Sequence, residues 1–420
     1  MVQVRRIPNQ SITFPVNNNI WFTNRGVTKE LNYTFTREPI WTNLYLCYDT
    51  SVVSKSLAAR HFGQAGTHAA TGNYSQNFTD LTAAGVSGPI EITHTYNSLN
   101  TKVGVLGKGF TFGHNIGMET ETILGQEHRN ITLATGAEWN FQKSGTSYRA
   151  LNSRGVLQAE GSKFVLTTNE DVTYTFGSSG AIESIRDKTG NTLSYTTNGA
   201  GNITRITDVT GMALVISYSG DKITSVKNQE TGETATFAYT GDLLTQSTDA
   251  TGKTVKYEYN EQGMLKKLID PAQQVFHEIT YVQGGQHDKK VHTVKLPSGN
   301  VETYQYDQFL RSTTIVDSNG RKTIQDFDRS FYTTRQVNPL GEAATKNYLM
   351  SNGQNLYGEV LSERDEYGNT KAYTRNNKGQ VTSIVESSGA REAFVYDAHN
   401  NVTRSQDHNG NYTHYVYDST

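Results

Sequence analysis

Short runs in which β-branched or aromatic residues alternate with polar ones fill the chain from about residue 171 onward, and clusters of Gly, Asn and Asp interrupt them at close intervals. Alternation with a period of two, bounded by turn residues, predicts strands of about five to seven residues. No stretch of comparable length places apolar residues at i, i+3, i+4 and i+7 between helix caps, so helix is expected to be scarce.

The interruptions are periodic. Asp-x-x-Gly glycines recur at Gly190, Gly211, Gly232 and Gly252, at Gly299, Gly320 and Gly341, and at Gly368, Gly389 and Gly410, mostly 21 residues apart. Asp187, Asp208, Asp249 and Asp270 hold the acidic position, followed by Asp317, Asn338, Asp365, Glu386 and Asp407. Aromatics keep the same step, as in Tyr306, Phe327 and Tyr348, in Tyr373, Phe394 and Tyr415, and in Tyr396 and Tyr417. A second turn follows four residues after an aromatic: Gly180 after Phe176, Gly199 after Tyr195, Gly263 after Tyr259, Asn400 after Tyr396. An apolar residue comes next, at Ile182, Leu265, Val381 and Val402. Two turns per period make each unit a β-hairpin, with the acid bonding nearby backbone and the glycine supplying a positive φ. The expected fold class is all-β.

Composition refines this picture. Only 35% of the 420 residues are apolar and the mean hydropathy is −0.59, too little for a conventional core of this size. The 24 tyrosines and 16 phenylalanines nevertheless oppose disorder. A long sheet with wetted faces, held by ladders between neighbouring strands, reconciles the two. A strip of some twenty strands would be roughly 100 Å long and, closed into a ring, about 30 Å across. The expectation is a partial wall of one spiral turn or less, with an exposed strand edge.

Four zones follow. Residues 1–50 read as a small β segment, the end of a truncated domain, and 51–87 as an irregular connector. Residues 88–170 form an opening module, and 171–420 the repeats, with insertions near 283–290 and 348–362. The net charge of −2, with basic residues scattered, disfavours nucleic-acid binding. Cys47, the sole cysteine, permits no intramolecular disulfide and reads as a buried thiol. No apolar segment is long enough to span a bilayer as a helix and no secretory h-region follows the first residues, so either export does not use this terminus or the chain is a segment of something larger.

Within 88–115, Tyr96-Asn97-Ser98 followed by Gly107-Lys108-Gly109-Phe110 resembles the opening module of the RHS or YD-repeat family. Tyr396-Asp397 and Tyr417-Asp418 resemble that family's tyrosine-aspartate pair. His94 stands where the family usually has arginine, and Phe110 where it has tryptophan. The resemblance covers roughly 88–420. It implies a spiralling antiparallel β-strip forming part of a hollow shell. It further implies a non-catalytic role, the encapsulation or display of a C-terminal toxin or effector domain, in a secreted or cell-surface protein. The partners would be the remainder of the shell and the enclosed domain. The sequence ends inside a repeat, at Tyr417-Asp418-Ser419-Thr420.

Candidate chemistry is sparse. His61 with His68, or His287 with His292, are the pairs a metal would use, and both read as ordinary side chains, so no catalytic, cofactor or metal residue is assigned. The acidic turns lack the alternating oxygen ligands of calcium loops. Asn338-Pro339 and Asp270-Pro271 occupy the repeat's turn slot and read as turns, and Gly104-Val105-Leu106-Gly107-Lys108-Gly109 has no helix after it to bind phosphate. The alternative function is carbohydrate binding or cell-wall adhesion through tyrosine rows that include Tyr306 and Phe327.

Overall fold

A computed structural model describes residues 66–417 apart from 124, 135–137 and 351–356, together with the two short strands Phe22–Thr23 and Gly26–Val27. The rest of the N-terminal β segment expected over 1–50, with Cys47, lies outside the described residues, as does His61. From Gly117–Ile123 to Tyr412–His414, 29 strands each pair antiparallel with the next. Among the described residues no ladder joins the first of these strands to the last, so the sheet is an open strip. The one helical element described is a single 3-10 turn, Gly285–His287. The long sheet thus begins at Gly117, well before the repeat becomes legible in the sequence.

Both rims of the strip are built from the same turn. Asp317 Oδ1 accepts the N–H groups of Asn319 and Arg321, each at 2.9 Å. Asp208, Asp249, Asp365 and Asp407 repeat this on one rim. Asn198, Asn260, Asn376 and Asp397 repeat it on the other. Hydrogen bonds to the charged form hold the carboxyls of Asp208, Asp365 and Asp407 below the usual carboxylate range, led by the Thr210 hydroxyl at Asp208 and by the side-chain amides of Asn369 and Asn411 at Asp365 and Asp407. Turn chemistry therefore accounts for the acidic period. One expected turn position shifts: the positive φ falls at Gly201 (82°), not at Gly199. The residue matching the second aromatic of the unit is Thr197, and Tyr195 matches the first.

The second aromatic sits at a bulge. The ladder slips just before Tyr218, Tyr239, Tyr259, Tyr281, Tyr348 and Tyr396, and such slips bend a strand and increase its twist. From the bulge the tyrosine reaches back to the preceding hairpin. Tyr239 donates to the Ile223 carbonyl at 2.6 Å and Tyr396 to that of Val381 at 2.8 Å. Tyr218, Tyr259, Tyr281, Tyr306, Tyr348 and Tyr417 do the same, always to a residue 15 or 16 positions earlier. Where Arg375 takes the tyrosine's place, its guanidinium donates to the Val360 carbonyl, again 15 residues back.

Bent at most of its hairpins, the strip coils until its rims meet. Arg154 forms a bidentate pair with Glu359 (2.6 and 2.7 Å), stacks on Tyr357 and donates to the Asn377 carbonyl. Lys188 donates to Asn401, and Asn400 to Asp171. These partners are 205–229 residues apart. Between Arg154 and Glu359 lie the 19 strands from Val156–Glu160 to Ala343–Tyr348. At about 4.8 Å per strand that turn measures roughly 90 Å around and about 30 Å across. The expected width is right, but the expected extent of one turn or less is exceeded, because 29 strands at about 20 per turn make about one and a half turns. From the insertion expected near 348–362, Tyr357 and Glu359 lie at this seam and grip Arg154.

The core fills the first turn. A four-stranded sheet of Thr67–His68, Asn73–Ala83, Ile90–Asn97 and Phe110–Phe112 packs against the wall. The expected irregular connector over 51–87 therefore contains an eleven-residue strand. Its small polar residues suggested a loop, yet Asn73, Ser75 and Asp80 are buried and hydrogen-bonded. Fully buried side chains such as Ile92, Leu106, Phe141, Leu214 and Val294 lie between this segment and the strip. Past Val337, Ser383 alone is buried among the described residues, since the opening segment does not reach the second turn.

Removing one clamp hydroxyl should cost about 1 kcal/mol locally. Tyr239→Phe, which strands the carbonyl of fully buried Ile223, is expected to raise hydrogen exchange in its hairpin more than Tyr396→Phe does. Gly320 and Gly389 have φ of 75° and 84°, so valine at either should cost about 1–3 kcal/mol in a thermal melt. Gly199→Val, outside the positive-φ position, should leave the melt unchanged.

Candidate functional site: the interface between opening segment and wall

Residues 66–118 touch strands around much of the first turn. Thr313 donates to the Ala69 carbonyl, Val291 N–H to Gly72, Ala250 N–H to Asp80, Ile223 N–H to Val105, Lys108 N–H to Asp242, and Met118 N–H to Gly180. A single segment reaching so many hairpins must lie on the concave side of the coil. The stretch 105–116 hooks onto hairpin ends at Ile223 and Asp242 along one rim, and the first wall strand joins the same rim through Met118 and Gly180.

The motif residues act as its anchors. The Tyr96 hydroxyl accepts the Leu265 N–H at 2.9 Å while Tyr281 donates to the Leu265 carbonyl, so both backbone groups of that wall residue are satisfied. Asn97 accepts from Asn73 at 2.9 Å, and Ser98 accepts the Tyr74 N–H at 2.8 Å. Gly107 must be glycine for space: a Cβ there would lie 2.5 Å from the Asp242 carbonyl oxygen. The glycine-rich stretch is a tight hairpin, Val103–Gly104 against Gly107–Lys108, with the Lys108 ammonium donating to the Gln262 carbonyl.

At the centre, the fully buried His94 bridges the two parts. Its Nδ1 lies 2.6 Å from Asp80 and its Nε2 2.8 Å from the Tyr257 hydroxyl, which in turn lies 2.8 Å from Ser247. A carboxylate only accepts, so Nδ1–H donates to Asp80 and Nε2 is free to accept from Tyr257. Burial pushes the Tyr257 phenol well up, which keeps its proton in place. Phe78 stacks on the imidazole at 4.6 Å, and Phe237 and Phe110 close around it. An Asp-His-Tyr-Ser chain could in principle relay a proton. Here Asp80, Tyr257 and Ser247 are each exposed by less than 5%, so no substrate reaches them and the chain acts as a clamp. His94 and Phe110, the two departures from the family pattern, stand side by side, ring centroids 5.6 Å apart.

Two further contacts of the same kind cross the interface. Tyr74 of the opening segment meets His277 of the wall at 2.7 Å, and His114 meets Tyr195 of the wall at 3.0 Å. Burial lowers both imidazoles to about 4 and raises both phenols. The sequence signalled His94 only through its departure from the family pattern, and nothing in it singled out His277 or His114.

The other candidates separate. His68 bonds Thr71, His287 lies beside Gln286 and Tyr306, and His292 is exposed on Val291–Lys295. Among the described residues no three His, Cys, Asp or Glu side chains group to hold a metal. Asp270 and Asn338 cap ordinary turns. Tyr306 spends its hydroxyl on Val291 and Phe327 is buried, so neither offers a ring for sugar stacking. The inserted loop 283–290 closes on itself through Val282 and Lys290, beside Gly72 of the opening segment. No helix among the described residues is long and apolar enough to cross a membrane.

Cutting the central chain should be costly. Tyr257→Phe leaves His94 Nε2 and Ser247 without their partner in a dry interface, an expected loss of about 1–3 kcal/mol. Equilibrium unfolding followed by the melting of the opening segment measures it, and Tyr373→Phe, outside this interface, serves as the comparison.

Residues 162–308 match the teneurin YD-shell family, and residues 67–141 match a domain of unknown function, DUF6531. No curated protein matches the chain. Solved structures similar to it include TcdB2-TccC3 without its hypervariable C-terminal region, at 9% identity and a TM-score of 0.36, covering 68% of this chain and 17% of that one. The Tc holotoxin pore of Photorhabdus luminescens is similar at 9% identity and 0.38, covering 80% and 22%, and TcdB2-TccC3-TEV at 12% and 0.36, covering 79% and 24%. The chain spans about a fifth of the length of these structures. The first family falls on repeating hairpins of the wall and the second on the opening segment and the first wall strands, so over these two stretches the chain is similar to RHS/YD-repeat shell proteins.

Proposed function

We propose that this chain is a non-catalytic base of an RHS-type shell, in which residues 66–116 seal one end and residues 117–417 begin the wall around a C-terminal toxin or effector domain. Its partners are then the remaining wall and the enclosed domain, and its setting is secreted or cell-surface. The observation that carries this reading is the contrast between the two turns of the spiral. The first turn is packed against residues 66–116, whose stretch 105–116 hooks onto one rim, while past Val337 Ser383 alone is buried among the described residues, so the second turn has no core of its own. The sealed and buried His94 chain supports a holding role over a catalytic one.

Edge pairing is measurable in the chain itself. Tyr415 N–H bonds back to Thr403, so by the alternation of an antiparallel ladder the His414 N–H points outward. Sedimentation velocity over rising concentration is expected to show self-association that His414→Pro weakens at least tenfold. A chain that stays strictly monomeric at every concentration overturns the pairing expected at this strand.

A further inference from the structure

Three imidazole–phenol contacts cross the interface between the opening segment and the wall, and their surroundings differ. His94 faces Asp80, so a proton gained there would meet a carboxylate at 2.6 Å. His277 faces the Tyr74 phenol from the opening segment, with Phe276 beside it and buried Leu268 opposite it in the ladder. The acidic residue next to it, Glu278, lies toward Lys267 at 3.9 Å. His114 faces the Tyr195 phenol, behind which stands Tyr174, and its Nε2–H donates to the backbone carbonyl of Glu91 rather than to its carboxylate. No carboxylate lies within ion-pair distance of either His114 or His277 among the described residues.

We infer that the closing segment is an acid-sensitive latch: protons taken up at His114 and His277 would be stranded without a counter-ion between segment and wall, so that acid loosens this end of the shell while the wall stands. The inference goes beyond the shell role and holds whether or not the shell encloses a cargo.

The sign follows from the two states. In the closed state both imidazoles are held at about 4 by burial, while in a released segment they return to the ordinary value near 6.5. Above that value both states are neutral and closure is at full strength. As the pH falls from about 6.5 to about 4, the released state binds protons that the closed state refuses, and closure weakens by up to tenfold per pH unit for each histidine. Both together give up to about a hundredfold per unit. Below about 4 the closed state protonates as well and the dependence flattens. The wall does not share this response. In its turns the carboxyls of Asp208, Asp365, Asp397 and Asp407 are held low by their hydrogen bonds, and Asp187 stands at about 2, where burial opposes the shift and bonds from Ser87, Thr189 and Asn191 outweigh it. These five remain charged through the window in which the latch opens.

Hydrogen exchange followed by mass spectrometry on the full chain tests this, with rates corrected for the intrinsic effect of pH. Between about pH 6.5 and about pH 4.5, opening of peptides from 90–116 is expected to increase by at least a hundredfold relative to wall peptides from 360–406. His114→Gln together with His277→Gln is expected to abolish that difference while leaving the response of the 360–406 peptides unchanged. Each single variant should retain about half of the logarithmic slope, which keeps the test decisive if the double variant does not fold. Equal responses of the segment and the wall in the unaltered chain overturn the inference, and so does a wild-type slope in either single variant.

Discussion

The bond from a tyrosine hydroxyl to the carbonyl 15 or 16 residues earlier is the constraint on which the architecture depends. An antiparallel strip joined only by its ladders is flexible in curvature, and its thin second turn has little apolar burial to hold a shape. Each clamp fixes one hairpin against the one before it, in most cases at a bulge where the ladder has already slipped. Local geometry repeated at a constant step then sets the radius of the whole coil. The substitution by Arg375 shows what the position requires, a long side chain with a donor at its tip, and explains why one hairpin keeps its curvature without a tyrosine.

Much of this was legible in the chain. The spacing of Asp187, Asp208 and Asp249 located one rim, because an Asx turn needs only a local acid and a glycine. Residues such as Leu265, Val381 and Val402 stood out as the apolar residues after the second turn, and their carbonyls prove to be the acceptors of the next tyrosine. What sequence could not give was contact across more than a hundred residues. Nothing local marks Arg154 as the partner of Glu359, or His277 as that of Tyr74. The segment 67–83 was misread for a related reason. Asn73, Ser75 and Asp80 look like loop residues until the wall and the neighbouring strands supply their partners, and only the closed coil brings those partners near.

Closure and curvature divide the work between two kinds of residue. The wall's curvature relies on ladders, polar turns and tyrosine clamps, and past Val337 these hold it with almost no buried residue. The opening segment relies on aromatic packing around His94 and on buried polar pairs, which need a dry environment. Acid therefore acts on them differently, even though one continuous chain forms both.

The number of strands between seam contacts is odd, 19 from Arg154 to Glu359, so one rim of the strip always meets the opposite rim of the next lap. Such a thread climbs by one strand length per lap and cannot bite its own tail. Height and girth are thereby uncoupled: added hairpins lengthen the coil at unchanged width. The architecture can thus grow along its axis by copying a 21-residue phrase, with no change to the packing of its first turn.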